Sequence, residues 1–255
     1  MLKILNDGRV RTLQLDRPDK LNALNNDLCD ALIQALSASA MDDDIDVVVL
    51  CGSEKAFSAG ADLPEALSAK RLDHTAAAYR LFHTILEFEK PIIAAVAGPA
   101  IGAGTTILLL CDIVYASETA QFSMPFSGLG LSPEAGASVT LPDLVGRHRA
   151  AELLMFSEAI SAQEGLLFGL VNRVVPEGQV ITFAQDRAKQ LCAKSQSSVK
   201  AVKSLMRMVD KNLLRQQINS EWKVFIDLFN GEDAKEAFTA FVEKRRPNFE
   251  KLREA

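Results

Sequence analysis

The sequence has few of the residues that build metal sites. Its 255 residues include four cysteines and three histidines, and no two cysteines form a Cys-x-x-Cys pair. Because protein metal sites of the zinc type need closely spaced thiolates and imidazoles, we expect no metal site. Widely spaced cysteines in apolar segments are typical of buried, reduced thiols. The four are Cys29, Cys51, Cys111 and Cys192.

An excess of positive charge and a long apolar run are also lacking. The chain carries 28 Lys and Arg against 33 Asp and Glu, a net charge of −5, so we expect no nucleic-acid partner. No apolar run approaches the roughly 20 residues that span a bilayer, and the first residues resemble neither a signal peptide nor an organellar leader. We therefore expect a cytoplasmic protein with no membrane partner. A hydrophobic content of 48% is typical of a globular protein with a full core.

Short apolar runs alternate with helical patterns over the first 175 residues. Asp7-Gly8 between two such runs predicts a hairpin turn, and leucines every four residues predict a helix over Asn26–Ala40. A second helix is predicted to end near Lys90-Pro91, and a third to run from the following glycine-containing bend through Leu110. The predicted strands are Leu2–Asn6, Val10–Asp16, Val47–Cys51, Ile92–Ala97, Ile113–Ala116 and Leu170–Val175.

Helical patterns dominate the rest of the chain. Ser161 and Glu164 have the spacing of a capping box, which marks a helix start. An α/β core reaching about residue 175 is therefore followed by a helical tail. The predicted helices are Ala150–Phe156, Gln163–Phe168, Ile181–Ala193, Ser198–Val209, Asn212–Phe229 and Ala234–Lys244.

One carboxylate stands alone in the segment 122–136, among apolar, Gly and Ser residues. Apolar surroundings disfavour the charged form of Glu134 and raise its pKa toward that of a useful general base. A structural interpretation stays open, because Ser132, Pro133 and Glu134 also have the pattern of an N-cap and the first two residues of a helix. A helix N-terminus would lower the pKa of Glu134.

Two glycine-containing loops follow predicted strands. Phe57–Leu63 follows the strand Val47–Cys51, and the segment from Gly98 to Thr106 opens a helix. Such loops let a ligand approach the backbone closely, but they are also ordinary tight turns. The second loop is not a dinucleotide fingerprint, because Ile107 stands where a third glycine is needed, and no Gly-Lys-Ser/Thr follows as in a P-loop.

These loops, in this order, resemble the motifs of the enoyl-CoA hydratase/isomerase (crotonase) superfamily. The segment from Asp16 to Asn25 resembles the opening motif of the family, and the two glycine loops resemble its oxyanion-loop motifs. The segment from Phe241 to Phe249 resembles the C-terminal segment that contacts coenzyme A. The resemblance covers essentially the whole chain and rests on four ordered motifs.

The resemblance implies an α/β fold in which ββα units form a spiral. We expect a core domain over residues 1–195 and a helical region over 196–255 that builds a homotrimer or a dimer of trimers. The implied substrate is an acyl-CoA thioester. Coenzyme A then belongs to the substrate, and no cofactor is expected.

The resemblance also implies roles for particular residues. The backbone N–H groups of Ala61 and Ala103 would bind the thioester oxygen and form an oxyanion hole. Phe241 and Lys244 would reach the nucleotide end of coenzyme A, often from a neighbouring subunit. From the residues alone, Asp62 is a loop-shaping acid, and lysines such as Lys20 are usually solvated. The expected substrate and CoA contacts are Lys20, Asn22, Ala23, Leu24, Ala59, Gly60, Asp62, Leu63, Gly102, Phe126, Leu129, Leu131, Phe241 and Lys244.

The reaction is predicted from the acids of the site. Family members that hydrate enoyl-CoA carry two glutamates, at the places occupied here by Thr106 and Phe126. Glu134 lies where Δ3,Δ2-enoyl-CoA isomerases carry the acid that moves a proton between C2 and C4, with apolar walls from Met124, Phe126, Leu129 and Leu131. We therefore predict such an isomerase with Glu134 as its catalytic residue.

Two alternatives to this isomerase stay open. The first is another hydratase or isomerase of the family, including a weak hydratase or a ring-enlarging isomerase of aromatic degradation. The second is a catalytically idle protein of the same fold that binds acyl-CoA.

Overall fold

A six-stranded sheet forms the centre of the molecule. The computed structural model describes residues 1–68, 72–208 and 211–250. The strand order is β1-β2-β3-β4-β6-β9, with β1 and β2 antiparallel and the other neighbours parallel. The strands of this sheet are β1 Leu2–Asp7, β2 Val10–Leu15, β3 Val47–Cys51, β4 Ile92–Val96, β6 Ile113–Ser117 and β9 Arg173–Val175.

Both faces of the sheet are covered, which is why its central strands are continuous apolar runs. Val48 and Leu50 point to the face that carries the larger core, whereas Val47 and Val49 point to the opposite core. Helix α8 (Val180–Cys192) packs across β2, β3, β4 and β6 on that opposite face. The predicted strands of this sheet are therefore confirmed, although β9 is shorter than its predicted range.

A second, three-stranded sheet includes part of the second glycine loop, and it has no counterpart among the predicted strands. β5 (Pro99–Ile101) pairs in parallel with β7 (Gln121–Ser123), which pairs antiparallel with β8 (Ile160–Ser161). These strands have two or three residues each, too few to give a periodic pattern. These strands form because segments that are distant in sequence pair through backbone hydrogen bonds.

Helices fill the remaining layers. α1 (Asn26–Met41) packs against α3 (Ala77–Glu87) on the larger core, and α10 (Lys211–Phe229) packs against α3, α5 (Ala137–Val145) and α11 (Glu232–Val242). Three short 3₁₀ turns lie at Pro18–Lys20, Ile107–Leu110 and Ser127–Leu129. The remaining helices are α1 Asn26–Met41, α2 Leu63–Ser68, α3 Ala77–Glu87, α4 Ala103–Thr106, α5 Ala137–Val145, α6 Arg147–Phe156, α7 Ala162–Phe168, α9 Gln196–Met208, α10 Lys211–Phe229 and α11 Glu232–Val242.

Two helix predictions are wrong in detail. The helix after the second glycine loop is α-helical only from Ala103 to Thr106 and continues as a 3₁₀ turn to Leu110. The second case is the alternative interpretation of Ser132-Pro133 as a helix start, because α5 starts only at Ala137, after Ala135 and Gly136 in left-handed conformations that a helix cannot contain. Glu134 therefore lies outside the helix.

The C-terminal helices also contribute to the central core. Ile218, Trp222 and Phe225 of α10 join the larger core cluster. The boundary between residues 195 and 196 stays a prediction, and part of the predicted helix Ser198–Val209 lies outside the described residues. Within the described ranges, none of the helices has the length and apolar character that crossing a membrane requires.

Candidate active site

The first glycine loop is fixed on both sides of Ala61. The Leu24 N–H donates to the carbonyl of Gly60 at 2.7 Å, and the Asp62 N–H donates to the carbonyl of Leu24 at 3.1 Å. Ala59 is held in turn by the carbonyl of Leu21. The N–H of Ala61 has no hydrogen-bond partner among the described residues, and Ala61 itself is exposed. This loop therefore presents one free amide at the surface.

The second glycine loop leaves another amide free. Gly102 has φ +52°, and its N–H donates to the carbonyl of Ser123. The N–H groups of Thr105 and Thr106 return to the carbonyl of Gly102. Ala103 is the first residue of α4, and its N–H has no partner within the described ranges, as expected of a helix start.

The two loops lie directly against each other. Ser58 pairs with Ala100, and the N–H of Ile101 donates to the carbonyl of Ser58 at 2.9 Å. A β-carbon on Gly60 would stand 3.6 Å from the nitrogen of Ala103. The free amides of Ala61 and Ala103 are therefore neighbours, in an arrangement able to bind one oxygen atom from two sides.

A hydrogen-bond network holds the first loop in shape. The guanidinium of Arg17 donates to the carboxylate of Asp62 at 2.9 Å and to the carbonyl of Ala23. The buried side chain of Asn22 accepts from the N–H of Arg17 and donates to the carbonyl of Ala56. Asp62 thus shapes the loop, as expected. Arg17 was missed by sequence reasoning, although it lies inside the first motif.

Glu134 is a buried carboxyl without a hydrogen bond. It is 5% exposed, and its side chain makes no hydrogen bond to any described residue. Burial, and then the negative charge of Glu221, raise its pKa to about 8. The hydroxyl of Ser132, which would cap a helix in the alternative interpretation, is buried and has no partner in the described part of the chain. The helix-cap interpretation is therefore wrong.

Glu134 lies near the first turn of α1. It lies close enough to Cys29 to contribute, after burial, to the raised pKa of that thiol. Cys29 is in the first turns of α1, shortly after Leu24, the bridge partner of Ala61. The segment that precedes Glu134 pairs with the second loop through Ser123. Glu134 is thus linked to the first loop through α1 and to the second loop through the strand that contains Ser123.

Neither position at which hydratases of the family carry a glutamate holds an ionisable side chain here, and apolar residues surround Phe126. Phe126 and Met124 are buried, and Leu129 and Leu131 are half-buried. Thr106 is fully buried, and its hydroxyl donates to the carbonyl of Ala103 at 3.4 Å. Neither Thr106 nor Phe126 can donate or accept a proton in catalysis at neutral pH.

The other predicted contacts lie at varied depths. Lys20 is exposed on the first 3₁₀ turn, Ala23 and Leu24 are buried, and Ala59, Leu63 and Gly102 are half-buried. Phe241 and Lys244 are exposed at the end of α11, a helix that packs against α2 and the Ser127–Leu129 turn. Their contact with substrate stays a prediction, as do the roles of the other site residues.

Glu221 on α10 is, after Arg17, a second residue of this region that sequence reasoning missed. Its carboxylate is 6% exposed and accepts hydrogen bonds from the start of α5. The signal in the sequence that could have identified Glu221 is an acid on the apolar helix face that carries Ile218, Trp222 and Phe225.

Among the described residues, no group of three or more His, Cys, Asp or Glu is close enough to hold a metal ion.

Comparison with known proteins identifies the class. The enoyl-CoA hydratase/isomerase family profile matches residues 6–252. The chain is 38% identical to 2,3-dehydroadipyl-CoA hydratase of Escherichia coli, covering 94% of this chain and 95% of that protein. It is 36% identical to the mitochondrial enoyl-CoA hydratase of Pongo abelii, and the match covers 95% of this chain and 84% of that protein.

Solved structures agree with this class. An enoyl-CoA hydratase/isomerase from Pseudoalteromonas atlantica superposes with a TM-score of 0.93 at 38% identity, covering 97% of this chain and 99% of that chain. OdaA from Pseudomonas aeruginosa superposes with a TM-score of 0.92 at 35% identity, and the match covers 94% of this chain and 98% of that chain. The protein has the crotonase fold and belongs to the enoyl-CoA hydratase/isomerase family of enzymes.

Proposed function

We propose that this enzyme isomerises 3-enoyl-CoA to 2-trans-enoyl-CoA by one-base proton transfer. The observation that carries the proposal is the carboxyl of Glu134, which is buried, has no hydrogen bond to any residue that the structure describes, and is the only acid among positions 106, 126 and 134. One base that returns the proton it takes is sufficient for a double-bond shift, whereas hydration also needs a bound, activated water.

The proposed mechanism begins with the thioester oxygen between the N–H groups of Ala61 and Ala103. The carboxylate of Glu134 removes a proton from C2, and negative charge spreads over the dienolate to that oxygen. The two fixed N–H dipoles stabilise this charge without reorganising, and loss of one such donor costs roughly 10²–10³ in rate. The protonated Glu134 then gives its proton to C4, which completes the shift and restores the carboxylate.

The raised pKa of Glu134 suits this role. A carboxylate whose pKa is about 8 is a stronger base than an ordinary glutamate, and about one molecule in ten is ionised at pH 7. The apolar side chains of Met124, Phe126 and Leu131 keep water from the dienolate. Because no donor among the described residues occupies the carboxyl of Glu134, this group can accept and then release one proton and so serve both half-reactions.

Hydration of 2-enoyl-CoA is the second candidate, and the names of the relatives favour it. The E. coli relative is a 2,3-dehydroadipyl-CoA hydratase and the Pongo abelii relative an enoyl-CoA hydratase. Against it stand Thr106 and Phe126, which leave no pair of acids at the places where hydratases hold their water.

The CoA moiety and the assembly complete the proposal. We propose that Lys20 and Lys244 meet CoA phosphates and that Phe241 packs near its nucleotide end. The positions of Phe241 and Lys244 at the exposed end of α11 suit contact with a CoA bound by a neighbouring subunit of a homotrimer or dimer of trimers. Coenzyme A enters as part of the substrate, and a cytoplasmic location stays part of the proposal.

The test is a direct assay of both reactions. The purified protein is incubated with 3-hexenoyl-CoA, and formation of the conjugated 2-enoyl thioester is followed by ultraviolet absorbance. We expect turnover by the wild type, loss of at least 10³-fold in Glu134→Gln, and no change in Glu158→Gln, which alters an exposed glutamate. An unchanged rate in Glu134→Gln would contradict the mechanism, and faster hydration of 2-hexenoyl-CoA would establish the hydratase instead.

A further inference from the structure

Glu221 binds the start of helix α5 from a different part of the chain. One carboxylate oxygen accepts from the N–H of Gly136 at 2.6 Å, and the other accepts from the N–H of Ser138 at 2.8 Å and from its hydroxyl. Gly136 stands at the cap position of α5 and has no side chain to satisfy these amides. Glu221 therefore supplies the N-terminal cap that the local sequence lacks.

The capped residues control where Glu134 points. Between Glu134 and α5 lie Ala135 with φ +61° and Gly136 with φ +79°. The left-handed conformation is strained for an alanine, so neighbouring contacts must hold this turn. The N–H of Ala137 donates to the carbonyl of Glu134 at 3.0 Å, which closes the turn on one side. The carboxylate of Glu221 holds it on the other.

The approach of α10 to this turn leaves little room for another arrangement. A β-carbon on Gly136 would overlap the side chain of Leu214 on α10. Gln217, one turn before Glu221 on the same helix, donates to the hydroxyl of Ser138 at 2.8 Å. α10 and the start of α5 are thus locked together around one buried carboxylate.

Glu221 differs from Glu134 in its hydrogen bonding. Three donors occupy its two oxygens, which favours the ionised form, whereas Glu134 has no donor among the described residues. Burial raises the pKa of both groups, but the donors from Ser138 and Gly136 oppose that effect at Glu221. The titratable groups that face Glu134 from packed elements are Glu221 on α10 and Cys29 on α1. Hydrogen bonding therefore favours the ionised form of Glu221 more than that of Glu134.

We propose that Glu221 is the positioning residue for Glu134, because its carboxylate clamps the turn that aims Glu134 and places a fixed negative charge beside it. This inference rests on the proposed function for the role of Glu134. Glu221 itself does not reach the reacting atoms, since its oxygens are engaged with α5. Its effect on catalysis passes through the orientation and the proton affinity of Glu134.

The test combines kinetics with a measurement that needs no turnover. The carboxyl of Glu134 is followed by ¹³C NMR in glutamate-labelled protein, with the signal assigned by its loss in Glu134→Gln. We expect Glu221→Gln to lower the pKa of Glu134 by one unit or more and to lower kcat on 3-hexenoyl-CoA at least tenfold, with KM changed less than threefold. Asp227→Asn removes an exposed charge from the same helix and should change neither quantity.

Two further variants separate charge from position. Glu221→Asp keeps the charge but withdraws the oxygens from α5, and Ser138→Ala removes one donor while the carboxylate stays. Both variants should keep the pKa of Glu134 within half a unit of wild type and lower kcat about threefold to tenfold. If Glu221→Gln does not fold, the kcat values of these two variants test whether Glu221 positions Glu134. Unchanged kcat and unchanged Glu134 pKa in the folded variants would overturn the proposal. If the wild type does not isomerise, the proposed function fails, while the NMR titration still reports whether Glu221 acts on Glu134.

Discussion

Gly60 packs its backbone directly against Ile101, and a β-carbon at residue 60 would overlap the carbonyl oxygen of Ile101. Gly60 also has φ +82°, in the left-handed region that favours glycine. The residue after Gly60 is Ala61 and the second residue after Ile101 is Ala103. The contact therefore sets the separation of the two free amides on which the proposed oxyanion hole depends.

Substitution of Gly60 should disable the site. In Gly60→Ala the new methyl group must push the two loops apart, so we expect kcat/KM on 3-enoyl-CoA to fall by roughly 10²-fold or more, the cost of losing one donor. Gly178→Ala is the matched control, because Gly178 has φ +75° and open space around its α-carbon. It shares the backbone strain without the clash. Equal kcat/KM in Gly60→Ala and Gly178→Ala would show that activity does not depend on the close approach of Gly60 to Ile101.

The Arg17–Asp62 pair should support activity through the first loop. Arg17→Lys keeps the charge but loses the fork that reaches both Asp62 and Ala23. We expect kcat/KM to fall about tenfold and the free energy of unfolding to fall by about 1–2 kcal/mol, because hydrogen bonds to a half-buried charge are lost. Enzyme kinetics and urea denaturation measure the two effects.

An exposed pair provides the comparison for Arg17. Arg80 pairs with Asp30 in a position where both side chains are more than two-fifths exposed. Arg80→Lys should therefore change the free energy of unfolding by less than about 1 kcal/mol and leave kinetics unchanged. A loss in Arg80→Lys as large as in Arg17→Lys would refute the structural role assigned to the Arg17 fork.

The stability of the protein should fall with pH because of Glu134. Its pKa is about 8 in the folded protein against an ordinary value of 4.5, so the folded state keeps a proton that the unfolded state has lost. This contribution to stability is fully present below about pH 4.5 and is lost as pH rises through 8, by up to about 1.4 kcal/mol per pH unit. Glu134→Gln has no such group.

The matching measurement is urea unfolding of wild type and Glu134→Gln at pH 5 and pH 8.5. The variant should gain stability relative to wild type between these two pH values. A difference in unfolding free energy that stays constant with pH would mean that Glu134 is not buried in the way described.

Elements with a strong local pattern could be predicted from the sequence. The buried strands β3 and β4 are continuous apolar runs, and the capping box of α7 is present as predicted, with Ser161 and Glu164 exchanging hydrogen bonds. The ordered motifs also located Glu134 and both free amides. These features depend on residues close together in the chain.

Features made by distant parts of the chain could not be predicted in this way. The strands β5, β7 and β8 are two or three residues long and form only by pairing with each other. The helix-cap interpretation of Ser132-Pro133-Glu134 follows a strong local pattern, whereas α5 starts later and takes its cap from Glu221, more than eighty residues along the chain. Tertiary contact decided the conformation against local propensity.

The most direct test of one-base transfer is to follow a label within the substrate. 3-Hexenoyl-CoA carrying deuterium at C2 is converted in ordinary water, and the product is analysed by mass spectrometry and NMR. If Glu134 alone removes and returns the proton in a dry site, a measurable fraction of the deuterium appears at C4 of the 2-enoyl-CoA. Product formed with no deuterium at C4 would contradict the account.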